Sequence, residues 1–279
     1  MRIIDLHCYP NTQKWIDCQG PYVDALEKYW GRAWQAKTEE EVVAEFTEFG
    51  IEAMLVALDL TTTIETPPCD NDYVAGMRDR HDAIIQAWAA VEPVLGQAAI
   101  DEAKHAINDL NMIGFHFHPI MQHIRVDDKS FYPLWEELTQ LKAPVMIDVG
   151  MTGMGAGMPG GLGAKTRNAH PASIDALAAD FPDLTIIMSH PGYPWIDETT
   201  AVALHKGNVF WEISGWAPKY LPDSLKKDIR SRLKDKVMFG SDYPSIPYKR
   251  ILSEWNQMGY SDDMLEKFFH KNAETILGL

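Results

Sequence analysis

Lys236-Val237-Met238-Phe239-Gly240-Ser241-Asp242-Tyr243-Pro244 is an apolar run that ends on an acidic residue and passes at once into a proline-containing loop. An aspartate at the exit of a buried strand is costly unless it binds a metal, accepts a proton or is firmly hydrogen-bonded. The same grammar recurs at Ile3-Ile4-Asp5-Leu6-His7, from Met112 to His118, at Val145-Met146-Ile147-Asp148 and at Ile186-Ile187-Met188-Ser189-His190. Five apolar runs thus end in His or Asp. Parallel strands whose carboxyl ends converge on one spot account for the pattern, and that spot is a candidate active site.

Working outward, strand-like runs alternate with helix-like runs along the chain. Strands are expected near Arg2–Cys8, Ile51–Leu58, Ala83–Ala90, Met112–His118, Pro144–Val149, Leu184–His190, Asn208–Ser214 and Lys236–Ser241. Each is apolar on both sides, as a sheet covered on both faces requires. A helix is expected over Thr38–Phe49, where a threonine precedes three glutamates. Others are expected over Ala98–Asp109, over Phe131–Leu141 behind Asp127-Asp128, and over His170–Phe181 with Pro171 in its first turn. The last spans Asp262–Leu277 and is stopped by Gly278. This alternation in a chain of 279 residues is the make-up of an α/β protein folded as a (β/α)8 TIM barrel. An open doubly wound sheet usually carries a Gly-rich turn after its first strand. His7-Cys8-Tyr9-Pro10 has no glycine there, so the barrel is the better reading. No repeats or linkers interrupt the chain, and residues 1–279 are expected to form one domain.

Two long connections leave the carboxyl ends of strands, the face on which barrel enzymes keep their sites. Asn11–Lys37 carries Trp15, Tyr22, Tyr29, Trp30 and Trp34. Met151–Ala169 is rich in glycine and methionine. It reads either as a lid with adaptable methionines or as a loose surface loop. It lacks the Gly-x-x-x-x-Gly-Lys-Ser/Thr pattern of a phosphate loop.

Composition sets the outer bounds. Hydrophobic residues make up 46% and charged residues 23%, which suits an ordinary globular protein. A formal net charge of −15 makes the chain a poor binder of nucleic acid. Cys8, Cys18 and Cys69 are odd in number and lack metal-ligand spacing, which argues against a disulfide framework. The first residues have no apolar signal core, and no run approaches the roughly 18 apolar residues of a membrane span. A cytoplasmic protein without membrane or nucleic-acid partners is expected.

The ionisable residues at the strand ends carry the functional expectations. His7 and Tyr9 are two apart and share a face of one strand. They read as a metal ligand with an acid or weaker ligand beside it, or as a hydrogen-bonded strand cap. His116 and His118 repeat the spacing as a half-site for zinc or manganese, as substrate-binding groups, or as a polar rim. Asp148 is placed to ligate a metal or to orient a histidine. His190 is a candidate general base or ligand. Asp242 is the strongest single candidate, because Gly240 and Tyr243-Pro244 shape an exit that presents the carboxylate. Asp5, lower on its strand, reads as structural. Lys165 and Arg167 are placed to clamp an anion, and Trp216 reads as a pocket wall or as ordinary core.

The chain resembles the amidohydrolase superfamily, specifically amidohydrolase-related family 2. That family includes aminocarboxymuconate-semialdehyde decarboxylase, resorcylate-type decarboxylases and lactone and ester hydrolases. The resemblance covers nearly the whole chain. It rests on Ile4-Asp5-Leu6-His7, Gly114-Phe115-His116-Phe117-His118-Pro119, the run from Pro144 to Gly150, and above all the run from Phe181 to Gly192 and Phe239-Gly240-Ser241-Asp242-Tyr243-Pro244. It implies a distorted (β/α)8 barrel with one divalent ion, usually zinc or manganese, over the strand ends. His7 matches the first histidine of the family's His-x-His, and Tyr9 replaces the second. Asp148 stands where the fifth strand normally supplies a histidine. His190 matches the sixth-strand histidine, and Asp242 the eighth-strand ligand and proton-transfer group. A site of His7, Asp148 and Asp242 would be rich in oxygen and would favour manganese or magnesium. Metal-free operation, with His7, His190 and Asp242 as an acid–base cluster, is the alternative that the altered positions leave open.

The expected function is an enzyme acting on a small aromatic or ring-derived carboxylated compound. It would hydrolyse, or cleave or add at a C–C or C–O bond, with His190, Asp242 and Tyr9 as catalytic residues. Its substrate would meet His116, His118, Arg167 and Trp216. Non-oxidative decarboxylation of an aromatic acid is the alternative reaction, and a barrel that only binds is the alternative of another class. Barrels of this kind often pair, and the aromatic first loop offers a surface for a homodimer.

Overall fold

Each of the eight apolar runs becomes a strand within its expected bounds: β1 (Ile3–Cys8), β2 (Ile51–Val56), β3 (Ile84–Ala89), β4 (Gly114–Phe117), β5 (Val145–Asp148), β6 (Ile186–Ser189), β7 (Val209–Ile213) and β8 (Val237–Phe239). The computed structural model describes Met1–Leu279. The strands form one sheet in the order β1 to β8, and every neighbouring pair is parallel. The ring closes through the loop after β8. Cys8 bridges Tyr243, the Tyr9 amide donates to the Tyr243 carbonyl at 2.9 Å, and the Asp242 amide donates to the His7 carbonyl at 2.9 Å. The result is a single-domain (β/α)8 barrel. Because β8 is short, the segment carrying Asp242 is itself part of the closing seam. Asp5 locks that seam from β1, accepting from the Ser241 amide at 2.9 Å and the Tyr248 hydroxyl at 2.8 Å.

The helices lie outside the ring. They are α1 (Gln13–Cys18), α2 (Pro21–Trp30), α3 (Glu39–Phe49), α4 (Thr61–Ile64), α5 (Asn71–Arg80), α6 (Gln97–Asn108), α7 (Tyr132–Gln140), α8 (Pro171–Asp180), α9 (Ile196–His205), α10 (Asp223–Ile229), α11 (Tyr248–Asn256), α12 (Asp262–Glu266) and α13 (Asn272–Leu277). Thr38 opens α3 with a full capping box closed by Glu41, which is what the threonine and glutamates ahead of it predict. The expected terminal helix is broken by a π turn at Lys267–Lys271. Helices α4, α5, α9, α10 and α11 have no counterpart in the sequence reading. In α5 the buried face is Asn71, Val74, Ala75 and Met77, too polar and too interrupted by Gly76 to stand out as an apolar period.

The first long connection is also partly helical, holding α1 and α2. It meets the second over the barrel mouth. A Cβ added to Gly153 would lie 2.9 Å from Leu26 Cδ1 and 3.2 Å from Trp30 Cζ2, so the Met151–Ala169 segment packs directly on α2. No helix is long and apolar enough to cross a membrane.

Candidate active site

Strand alternation sends every second side chain into the barrel, and the site is built from such pairs. β1 supplies His7, β4 supplies His116 and β7 supplies Glu212, and Tyr9, His118 and Ser214 follow them one residue past the strand ends. Asp148 ends β5, while His190 and Asp242 lie just past β6 and β8. The structure brings all of these together. His7 Nε2 is 3.1 Å from the Tyr9 hydroxyl and 3.9 Å from Asp242 Oδ1. Its ring stacks on His190 with centroids 5.2 Å apart and meets His116 edge-on at 5.0 Å. Asp148 is ringed by imidazoles: His116 Nε2 at 2.9 Å, His118 Nε2 at 3.3 Å and His190 Nε2 at 3.5 Å. On the far side of His190, Ser214 Oγ is 2.9 Å from Nδ1.

Burial and charge divide these groups into distinct roles. Burial, with His116 next, lowers His7 to about 3, and burial lowers His118 to about 4, so both are neutral at pH 7. Burial would also lower His190, but Asp148, Asp242 and Glu212 outweigh it and raise this imidazole to about 10. Burial would raise Asp148, yet His116, His118 and His190 together hold it well below the usual carboxylate range. Asp242 goes the other way: burial raises its affinity for a proton.

Two backbone strains mark the same spot. His190 and Asp242 both adopt left-handed backbone, with φ of 70° and 59°. Non-glycine residues rarely sit there, and such strain gathers at functional sites. Gly215 fills the space between them: an added Cβ would lie 2.7 Å from His190 Nδ1 and 3.2 Å from Asp242 Oδ2.

Sequence reasoning missed Glu212. It is wholly buried, its carboxylate is 3.6 Å from His7 Nδ1, and neither of its oxygens has a hydrogen-bond partner. Burial raises it to about 7. The signal was available as an acid inside the apolar run Val209-Phe210-Trp211-Glu212-Ile213. It was hidden because that run does not end on the charge.

Above these groups lies a cavity of about 570 Å³. Its floor is His118, Asp148, His190 and Asp242, and Tyr9, Trp15, Trp30, Trp34 and Trp216 are among its aromatic walls. Met151 and Met154 from the glycine-rich connection also line it, as a lid would. His7 and His116 stand behind the floor. Arg167 is exposed and outside the lining, as is Lys165, so neither is brought to the cavity as an anion clamp. Both lie at the Thr166–Ala169 turn, where the connection has already left the mouth.

The barrel, the strand-end histidines and the Asp242 seam agree with a family model described as amidohydrolase, which matches residues 4–279. The chain belongs to the amidohydrolase family. No curated protein matches it by sequence. Among solved structures it is similar to an uncharacterised TIM-barrel protein from Bordetella bronchiseptica, at 22% identity and TM-score 0.78, over 100% of this chain and 99% of that one. It is also similar to 5-carboxyvanillate decarboxylase from Sphingomonas paucimobilis, at 15% identity and TM-score 0.74, over 100% and 99%. A third is a dihydroxybenzoic acid decarboxylase from Polaromonas sp. with bound manganese and the inhibitor 2-nitroresorcinol, at 18% identity and TM-score 0.73, over 100% and 97%. At these identities the likeness establishes the fold.

The manganese in that relative prompts a test of the residues present here. Two overlapping groups have ligand atoms within 4.8 Å of one another: His7 with His116 and Asp148, and His7 with His190 and Glu212. Asp242 joins neither, although it is close to His7. Asp148, Asp242 and Glu212 converge on a single imidazolium, and the Glu212 oxygens are orphaned. Clustered imidazoles, an excess of buried acid and the unsatisfied Glu212 oxygens are a donor set that fits a divalent ion.

Proposed function

We propose that the protein is a non-oxidative decarboxylase of aromatic carboxylic acids. The observation that carries this reading is at the cavity floor. There a cationic imidazole, His190, is set beside a carboxyl group, Asp242, whose affinity for a proton burial has raised. The first is suited to hold a substrate carboxylate and the second to deliver a proton to carbon. Relatives that decarboxylate carboxyvanillate and dihydroxybenzoate on the same fold support the choice among reactions.

The ring would lie between the aromatic walls, with its carboxylate against His190. Asp242 donates its proton to the carbon that bears the carboxylate, forming a C–H bond. The C–C bond then breaks, its electron pair returns to the ring, and carbon dioxide leaves. Asp242 regains a proton from solvent. Tyr9, at the edge of the cavity and bonded to His7, is placed to donate to a ring oxygen ortho to the carboxylate. Asp148 keeps His190 charged, and Ser214 holds its other nitrogen. His7, His116 and Asp148 would hold a divalent ion, which would polarise a substrate oxygen when bound. That set differs from His7, Asp148 and Asp242 and leaves Asp242 free for proton transfer.

The test is to incubate the enzyme, with and without added manganese, with ortho-hydroxybenzoates and with aryl esters and lactones. Release of carbon dioxide from the first class is expected, with one deuterium at the vacated carbon when the solvent is D2O. Asp242→Asn should lower kcat by roughly 10²–10⁴-fold. Hydrolysis of the esters or lactones with no carbon dioxide from any acid would refute the reading.

A further inference from the structure

The cavity separates its charge from its volume. Every ionisable acid or imidazole in its lining belongs to the floor: His118, Asp148, His190 and Asp242. No lysine or arginine lines the walls or roof. The remaining polar lining groups are all neutral: the Tyr9, Tyr29, Tyr193, Ser245 and Thr152 hydroxyls and the Gln19 amide. The Gln19 amide donates to the Trp15 carbonyl at 3.1 Å, and Thr152 Oγ1 accepts from the Met154 amide at 3.2 Å. Arg32 is outside the lining and is committed to the wall's own residues. Its guanidinium lies over Trp34 at 5.1 Å and Trp30 at 5.5 Å, and donates to the Ser245 carbonyl at 2.8 Å. Beyond the pocket, a chain of net charge −15 offers a second anion nothing in return. The volume matters too. About 570 Å³ sits well inside the range for drug-sized ligands, roughly 300–1,000 Å³, and exceeds what one substituted ring fills.

We infer that the substrate carries its charge at one end only: an aryl monocarboxylate whose remainder is neutral, apolar and larger than a single ring, such as a second ring or an arylalkyl group. The carboxylate meets the histidine floor, and the tail meets tryptophan and methionine. A second carboxylate would have to be desolvated against neutral walls with no cation to pair it, and burying a charge without a charged partner is costly. The inference deepens the proposed function and rests on its reading of the floor as the carboxylate end.

Three ligands of graded form test it: benzoate, biphenyl-4-carboxylate and biphenyl-4,4′-dicarboxylate. The last two share a shape and differ only in the distal charge. Binding is read by calorimetry and by quenching of tryptophan fluorescence. The biphenyl monoacid should bind at least about 100-fold more tightly than the diacid, and at least about 10-fold more tightly than benzoate. Met154→Arg, which brings a cation to the wall, should improve binding of the diacid relative to the monoacid by about 10-fold or more. A diacid that binds wild type as well as the monoacid, or benzoate that binds as tightly as the biphenyl acid, overturns the inference while leaving decarboxylation standing. Failure of the monoacid to bind at all also overturns it. If the graded binding appears but no ortho-hydroxybenzoate loses carbon dioxide, the proposed reaction falls and the assignment of the ligand class stands.

Discussion

Replacing Gly240 by alanine would collide with the buried carboxyl group of Glu212. A Cβ at 240 would lie 1.6 Å from Glu212 Oε1, 2.5 Å from its Cδ and 2.9 Å from its Cγ. All three contacts are closer than real Cβ atoms tolerate. Glu212 is wholly buried and its carboxylate has His7 Nδ1 only 3.6 Å away, so it cannot step aside without pushing on the site. Gly240 does not have positive φ, so alanine meets no backbone penalty and the whole cost is collision. Overpacking of a closed core costs typically 1–3 kcal/mol, and a contact this short belongs near 3 kcal/mol. In a chain of this size that lowers Tm by roughly 6 °C. Glu212→Ala removes all three colliding atoms. In that background Gly240→Ala should cost less than about 0.5 kcal/mol, which gives a coupling energy of roughly 2–3 kcal/mol between the two positions. The assay is a double-mutant cycle by calorimetric and denaturant unfolding of the four proteins under one buffer. A wild-type-like Gly240→Ala, or a double mutant equal to the sum of its parts, would refute the packing argument.

Asp242 must be protonated to deliver its proton, and burial raises its pKa above that of a free aspartate, so kcat/KM should stay level to a higher pH than a free aspartate allows and then fall tenfold per unit; a rate independent of pH between 4 and about 9 would count against it. Because His190 is raised from 6.5 to about 10 by carboxylates that include Asp148, its contribution to stability is full below pH 6.5 and is lost as pH rises toward 10. Asp148→Asn should therefore move the His190 titration, followed by proton NMR of the ring, down by more than one unit, roughly the effect of removing one adjacent charge, and should flatten that loss of stability; an unmoved titration contradicts the assignment. Gly215→Ala sets a methyl against His190 at a φ of 69°, and should cut kcat about 100-fold while the protein still unfolds cooperatively; an active Gly215→Ala enzyme would show that His190 has room to move.

The strand ends were legible because a parallel sheet covered on both faces demands continuous apolar runs, and a charge that closes such a run stands out against it. That is how His7, Asp148, His190 and Asp242 could be singled out, and with them the barrel. Periodicity failed for α5, whose buried face has only three apolar residues, Val74, Ala75 and Met77, and for α1 and α2, whose aromatic residues turn toward the mouth as much as toward a core. The chain text cannot say that Asp148 takes three imidazoles, that His116 lies behind the cavity floor, or that Arg167 faces solvent. Nor does it link Glu212 to Gly240, for they meet only because β7 and β8 pair with Glu212 opposite Met238. Local composition decides which segments are buried and in what conformation, since each residue's solvation and backbone preference are its own. Which buried groups then touch depends on strand register and on how two long connections close over the ring, and these are set by contacts between residues far apart in sequence.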